Sequence, residues 1–579
     1  MADPHEAAAR SRARATAWRW VLAIVLLAAA LRSEALWVGF AMDDWAQLAM
    51  LANAYGVERA PWDLFSFCDG SPREVGLMVE SGLFPWWTDQ ELKLSTLRPL
   101  ASLLVWLDVE AFGIDARWHR VHTLVWWIAM LVVVARLLLR VLPMRWALLA
   151  FALYALDECH AQPLAWSANR NAILATLFGI AAVDAHVRWR EDGAASWHAW
   201  VLLVLAFASG EVALAAFGFI GAYEVTRRDR PMRALAGCIV VVVAWAILHR
   251  VLGYGAAYSG VYVDPSEVSS WIVAALDRGP ILLADLAFAL PTGQLALGGR
   301  GMLVQRVLGV VAFAAAAWWL RGRDGRSRWF ALAAVLAMIP MVSAFVSARL
   351  LVLPAIAGHV LVAAFILEAI DARALHRVGS KLRLVVAAAL GIAHLGLAPW
   401  WSVREIADLR EFGAAAQQAS DTAPPEIGRE LVIVPVVADP STLLYPPLVR
   451  AALGSSLPGR WAVLSAAPGP HRLRRVDART LELHALGGLL RTPVEQMFRR
   501  RDRPFYRDPI QAWNGAVIEV LDYGTQDFPS RVRFTFAQSL DDPQVVVMLA
   551  TPRGFVRYPL GPIGSEIAVP PASAPLAAD

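Results

Sequence analysis

Charge is scarce in this chain, and that scarcity is what first classifies it. Of 579 residues only 18% are charged, while 58% are hydrophobic and the mean hydropathy is +0.49. A water-soluble domain carries roughly a quarter charged residues, so the composition excludes a soluble globular protein and predicts an integral membrane protein. Charge of one sign is equally lacking. The 53 Lys and Arg barely exceed the 49 Asp and Glu, and the basic residues cluster between apolar runs, which points to topology and not to nucleic acid. Cysteine is limited to Cys68, Cys159 and Cys238, which excludes a disulfide framework and a paired C-x-x-C metal motif. One bridge between Cys68 and Cys159, if both face outward, stays open. No internal repeat is present.

What the chain does have is a succession of long apolar runs. Arg10, Arg12, Arg14 and Arg19 precede Trp20 to Leu31. This could be a signal peptide, but apolar residues resume at Ala35 to Phe40, so the run reads as an uncleaved first span with a cytoplasmic N-terminus. Further spans are expected at 122–141, 146–156, 173–187, 234–251, 303–320, 330–345, 350–370 and 384–397. Trp200 to Tyr223 is expected to form a hairpin of two short helices turning near Glu211. Basic residues such as Arg136, Arg140, Arg188, Arg190, Arg321 and Arg323 fall at alternate ends, giving about eleven spans. The 100–112 run is apolar but shorter than the roughly 20 residues a span needs, so it is expected to lie at the interface.

The predicted fold is therefore mainly α: a polytopic helix bundle over residues 1–400 with a large external loop at 41–97 and a C-terminal soluble, β-containing domain. Residues 401–423 read as a linker helix and 424–570 as the soluble domain, because short runs such as Leu431 to Val437 and Val532 to Phe536 are β-rich and separated by Pro, Gly and Asp. The Ala- and Pro-rich tail at 571–579 reads as disordered. The many tryptophans, including Trp62, Trp86 and Trp87, are expected mostly as interfacial belt residues.

Asp43 and Asp44 follow directly on the first span, in Phe40-Ala41-Met42-Asp43-Asp44-Trp45. Adjacent carboxylates at a bilayer edge are costly unless water, a cation or a catalytic role offsets them. The alternative is that one of them caps the helix that follows. His160, Arg170, Glu211 and Arg349 also fall at or near external ends of spans.

These residues lie in motifs that resemble the GT-C glycosyltransferases, specifically bacterial relatives of the transmembrane, tetratricopeptide-associated O-mannosyltransferases. The stretches are Phe40 to Asp44; Leu97-Arg98-Pro99-Leu100-Ala101-Ser102 with Trp106-Leu107-Asp108; Ala155 to Arg170; Ser209-Gly210-Glu211 with Tyr223-Glu224; and Ala348 to Pro354. They cover about residues 20 to 370 in the family's order. Asp157 stands where the family usually has the first His of His-Pro-x-His, Gln162 replaces an acidic residue, Leu350 stands in the Arg-Tyr step, and the tetratricopeptide repeats are absent.

The resemblance implies transfer of a sugar from a polyprenyl-phosphate donor to an acceptor protein, lipid or glycan, with inversion, on the external face of the inner (plasma) membrane, the C-terminal domain being periplasmic. It implies a base for the acceptor hydroxyl, Asp43 or Asp44, and cationic groups for the departing phosphate, Arg349 and Arg170. His160, Glu211 and Arg98 are further site candidates, and a divalent cation held by an Asp and His160 is an alternative for the phosphate. Structural readings stand beside these: Arg349 as a snorkelling anchor, Arg170 as a partner of Asp157, His160 as a buried hydrogen-bonder and Glu211 as a helix cap. A transporter or flippase, or a non-catalytic membrane assembly protein, are the competing classes; a transporter places its ionisable groups near mid-membrane.

Overall fold

The computed structural model describes the chain except residues 1–3, 228–230, 291, 293–297, 375–378, 424–430, 438–442, 456–459, 504, 506–509, 514, 525–527 and 570–579. The start expected for the soluble domain at Pro424 and the tail after Pro570 lie outside the described residues. Two compact units result: residues 1–38, 97–252 and 265–409 form one, and residues 39–96, 253–264 and 410–579 the other.

The first unit is helical. Among the described residues, eight helices are long and apolar enough to cross a membrane: Ser11–Leu31, Ala116–Val141, Ser167–Asp192, Arg233–Val251, Arg300–Trp319, Gly325–Ser343, Pro354–Ala374 and Ser380–Thr422. With its composition, this makes the protein multi-pass. Met144–Leu156 and Trp197–Ser209 are apolar but have 13 residues each, about 20 Å at 1.5 Å per residue against a hydrocarbon core of about 30 Å. Ala213–Arg227, with 15 residues, is the other short one.

Burial ranks the helices. The apolar window of Ser167–Asp192 is 72% buried, whereas those of Arg233–Val251 and Arg300–Trp319 are 17% and 11% buried. The first is a central helix; the other two present Val240, Val243, Ile247, Val307, Val311 and Trp318 outward, as apolar residues do toward lipid. Close approach is made possible by small residues. A Cβ on Gly179 would sit 2.7 Å from the Cβ of Ala216, so the central helix packs directly on Ala213–Arg227.

The hairpin expected near Glu211 is present, and side chains at both ends of the central helix hold it. At one end the break at Gly210 lies against Asn171. At the other, Glu224 meets His186 at 2.8 Å and Arg190 at 2.9 Å, and Tyr223 donates to Glu191. The chain therefore runs from Trp197 up to Gly210 and back to Arg227 beside one helix. The end it returns to also carries Arg136 and Arg140 on Asp184.

The second unit gathers the 39–96 segment, the short 253–264 segment and the C-terminal chain. Three strands, Ser66–Asp69, Lys93–Ser95 and Gly255–Ala257, form an antiparallel sheet in that order. A six-stranded antiparallel sheet places Glu566–Val569, His471–Arg475, Thr480–Ala485, Pro529–Phe536, Ala516–Tyr523 and Ile510–Trp513 side by side. A four-stranded sheet pairs Leu431–Val434 in parallel with both Arg460–Val463 and Val545–Thr551, and Gly554–Arg557 closes its edge. Alternation governs the larger sheet: Val532, Phe534 and Phe536 are buried, while Arg533 on the opposite face binds Glu482 and Glu519 of the flanking strands.

The loop that the sequence assigns to the membrane region thus packs with the C-terminal chain. Two of its tryptophans are not belt residues: Trp86 and Trp87 are each 2% exposed, and their indole N–H groups donate to Leu464 O and Glu495 O. A buried indole requires such an acceptor, and here the acceptors come from residues nearly four hundred positions away. Asp89, with Arg499 at 3.6 Å and Arg503 at 3.1 Å, adds a buried ionic tie.

Candidate functional site

The N-terminal end of the central helix concentrates the unusual polar groups of the first unit. Pro163 lies in the short helix Ala161–Ala165, which ends at Trp166; a single 3-10 turn, Ser167–Asn169, then turns the chain into the helix that begins at Arg170. Arg170 is 1% exposed, and its Nη1 lies 2.6 Å from Asp108 Oδ2. Arg170 therefore pairs with Asp108, not with Asp157. His122 Nδ1 is also on Asp108, while Trp126 donates its indole N–H to His122 Nε2 at 2.8 Å. Indole is a donor only, so the imidazole proton is assigned to Nδ1, facing the carboxylate. Asp108 and His122 were not singled out as site residues; the signal for Asp108 was a carboxylate inside the apolar run that follows Pro99.

Arg349 sits in the 3-10 turn Ala348–Leu351, just before the helix Pro354–Ala374. Its guanidinium lies over the rings of Trp166 and Phe345, 5.2 and 4.9 Å from their centroids, and Nη1 donates to Asn169 Oδ1 at 3.4 Å. On Arg349, on Trp166 and Asn169 that it touches, and on the adjoining Arg170, four buried donor atoms have no hydrogen-bond partner among the described residues: Trp166 Nε1, Asn169 Nδ2, Arg170 Nη2 and Arg349 Nε. An unmet buried donor costs about 1–3 kcal/mol, and four in one neighbourhood, two of them on guanidinium groups, are the complement of an anion. Arg349 is thereby more than a snorkelling anchor.

Arg98 and Glu211 join each other at the same end. Arg98 Nε donates to Glu211 Oε2 at 3.0 Å, with the two side chains 23% and 27% exposed. Arg98 directly precedes the helix Pro99–Phe112, and Glu211 occupies the hairpin break. Glu211 Oε1 has no hydrogen-bond partner. This pair and the donor group flank Asn171, whose side chain lies next to Gly210.

His160 does not fulfil the expected role of a cation ligand with an Asp. Its Nε2 meets Tyr154 O at 3.0 Å, and its ring packs edge-on against Tyr154 and Trp127. Asp157 instead contacts His359, Nε2 to Oδ2 at 3.1 Å, with His394 alongside. Neither histidine was a candidate, because each is a lone imidazole in an apolar run. All three cysteines are buried and free, so the open alternative of a Cys68–Cys159 bridge is removed.

Asp43 and Asp44 belong to the second unit and open the helix Asp43–Leu51. Neither is the N-cap. That position is Met42, at φ 50° and ψ −128°, which makes no side-chain cap. This backbone region is sparsely populated by non-glycine residues and costs of order 1–3 kcal/mol. Asp44, 2% exposed, accepts from the Ala41 N–H at 3.2 Å and so folds the entering chain back on the first turn. Asp43 is only half-buried. Two carboxylates in the first turn are also favoured by the helix dipole.

No family model matches the chain, and no curated protein matches it. Among solved structures, ArnT from Cupriavidus metallidurans bound to undecaprenyl phosphate is similar at 14% identity and a TM-score of 0.39, over 76% of this chain and 85% of that one. An oligosaccharyltransferase from Archaeoglobus fulgidus, tethered to an acceptor peptide, is similar at 12% identity and a TM-score of 0.40, over 76% of this chain; the chain spans 63% of that protein's length. Likenesses at this level assign neither a family nor an activity.

Proposed function

We propose that the chain is a membrane glycosyltransferase that takes a sugar from a polyprenyl-phosphate donor and moves it to an acceptor hydroxyl. The observation that carries this reading is the group of four buried, unpartnered donors on Trp166, Asn169, Arg170 and Arg349. A phosphate ester of a long lipid fits such a group, because it brings an anion and its acceptor oxygens to the N–H donors of a membrane-embedded bundle. Arg349 is the principal phosphate ligand. Arg170 is held by Asp108 and offers its remaining N–H.

In the reaction the acceptor oxygen attacks the anomeric carbon and the bond from that carbon to the phosphate oxygen breaks. The acceptor proton passes to a carboxylate, and the phosphate leaves with its charge held by the donors. A single displacement of this kind inverts the anomeric centre. The base is assigned to the Asp43–Asp44 pair on the resemblance of its motif. Of the two, the half-buried Asp43 is the base, and Asp44, bonded to Ala41 N–H, is a positioning residue. The donor group sits at the end of the central helix opposite Arg188 and Arg190, and the positive-inside rule makes that end external.

The test is binding of undecaprenyl phosphate to the purified full chain in nanodiscs, wild type against Arg349→Gln. Wild-type binding, with a loss of at least tenfold in the variant at unchanged thermal stability, is expected. Equal binding by both proteins would remove Arg349 from the site, and tight binding without any sugar transfer from a panel of hexosylated donors would favour a lipid transporter.

A further inference from the structure

A second polar cluster lies in the first unit apart from the donor group. Asp157 follows the helix Met144–Leu156, His359 lies in Pro354–Ala374, and His394 lies in the π turn Ala393–Leu397 that joins Ser380–Ile392 to Ala398–Thr422. Asp157 is 6% exposed and both histidines are fully buried. The separations are 3.1 Å from His359 Nε2 to Asp157 Oδ2, 4.0 Å from His394 Nδ1 to Asp157 Oδ2 and 3.3 Å between the two ring nitrogens. The point equidistant from these three atoms is about 2 Å from each, which matches the Zn–N and Zn–O distances of roughly 2.0–2.2 Å.

The surroundings prepare His394 and Asp157 as a metal requires, while His359 Nδ1 has no hydrogen-bond partner among the described residues. His394 Nε2 faces Ala287 O at 3.2 Å. A carbonyl only accepts, so the proton is on Nε2, and the Nδ1 lone pair points at the common centre. Asp157 Oδ1 accepts from Cys159 N–H at 3.0 Å, which leaves Oδ2 for the centre. A π turn inserts one residue into a helix and often marks a functional position; here it carries the histidine. Without an ion, His394 Nδ1 and the Asp157 carboxylate converge with only one proton between them, that of His359. Glu158 and Asp285, 1% and 2% exposed, share a side-chain hydrogen bond with each other and lie close enough to Asp157 to interact with its charge. Arg32 is a nearby cation, and it donates to the backbone oxygens of Ala28, Ala155 and Asp157.

We propose that Asp157, His359 and His394 bind a divalent transition metal ion of the zinc class, which fastens the segment after Leu156 to two later helical segments. Two imidazoles and one carboxylate are a borderline-soft donor set that suits zinc over magnesium or calcium. The proposal is independent of the glycosyltransferase reading.

The experiment uses the full chain, purified through a tag without histidines. Metal analysis is expected to find about one zinc-class ion per chain, and His394→Gln and Asp157→Asn are each expected to lower bound metal at least tenfold, since loss of one of three ligands is at least as damaging as loss of an outer partner. Protein stripped with chelator should melt at a lower temperature and recover when zinc chloride alone is added. If a variant fails to fold, that titration of stripped wild type still decides. Metal-free wild-type protein whose melting does not respond to zinc, or metal content that is unchanged in both variants, overturns the proposal.

Discussion

Replacing Asp43 by Asn separates the catalytic reading of the acidic pair from the structural one. The structural cost can be bounded from what surrounds the pair. Asn at 43 keeps the size of a half-buried side chain and loses one charge near a helix N-terminus, worth about 0.3–1 kcal/mol. Asn at 44 keeps an oxygen able to accept from the Ala41 N–H, now 3.2 Å from Oδ2, and at that bond loses the excess of a charge-assisted bond over a neutral one, about 1 kcal/mol. Neither change unfolds a protein. If Asp43 is the base, its amide cannot take the acceptor proton, and turnover falls by roughly 10²–10⁴, a barrier rise of about 2.7–5.4 kcal/mol at 1.36 kcal/mol per tenfold. That is several times the structural cost. The assay is transfer of radiolabelled sugar from saturating polyprenyl-phosphate donor in nanodiscs, with melting temperature and donor binding measured on the same preparations. Asp43→Asn is expected to bind donor, melt within a few degrees of wild type and lose turnover, and Asp44→Asn to lose less. Two folded variants that both transfer at the wild-type rate would refute the base assignment and, with it, the enzymatic reading.

Three further outcomes follow from the structure. Gly82 has φ +78°, and a Cβ there would lie 2.1 Å from Trp461 O, so Gly82→Ala combines backbone strain with overpacking and should destabilise the second unit by roughly 2–4 kcal/mol; proteolysis of its sheets at wild-type rates would contradict this. His471 sits between Ser465 Oγ and Gly469 O, and burial, outweighing its hydrogen bond to Gly469, lowers its pKa below the usual 6.5. The unfolded chain therefore takes up the proton first. This stability is complete above about pH 6.5 and is lost as pH falls below it; His471→Gln should flatten the melting temperature between pH 7.5 and 5, and an unchanged slope would remove His471 as its source. Reporter fusions after Gly325 and after Asp579 should report opposite sides of the membrane, and the same side for both would invalidate the proposed orientation.

The sequence by itself determined the membrane class, most helices, the β-rich C-terminal region and the hairpin near Glu211, because hydropathy, residue periodicity and the placement of arginines are local quantities. It also put Arg349, Arg170 and Glu211 at or near the external ends of spans by counting spans. Tertiary structure decided what each polar group meets. The sequence suggests Asp157 as the partner of Arg170, and only the packing of Pro99–Phe112 and Ala116–Val141 against the central helix selects Asp108. Trp86 and Trp87 look like interfacial residues until chain nearly four hundred positions away supplies their acceptors. His359 and His394 are isolated in apolar runs, and nothing in their spacing to Asp157 has a motif's regularity. Three segments distant in sequence must fold together before one carboxylate oxygen and two ring nitrogens converge. Hydrophobicity acts through the average character of a run, so a sequence reveals it; coordination and hydrogen bonding act through single atoms a few ångströms apart, and those atoms find each other only in the folded chain.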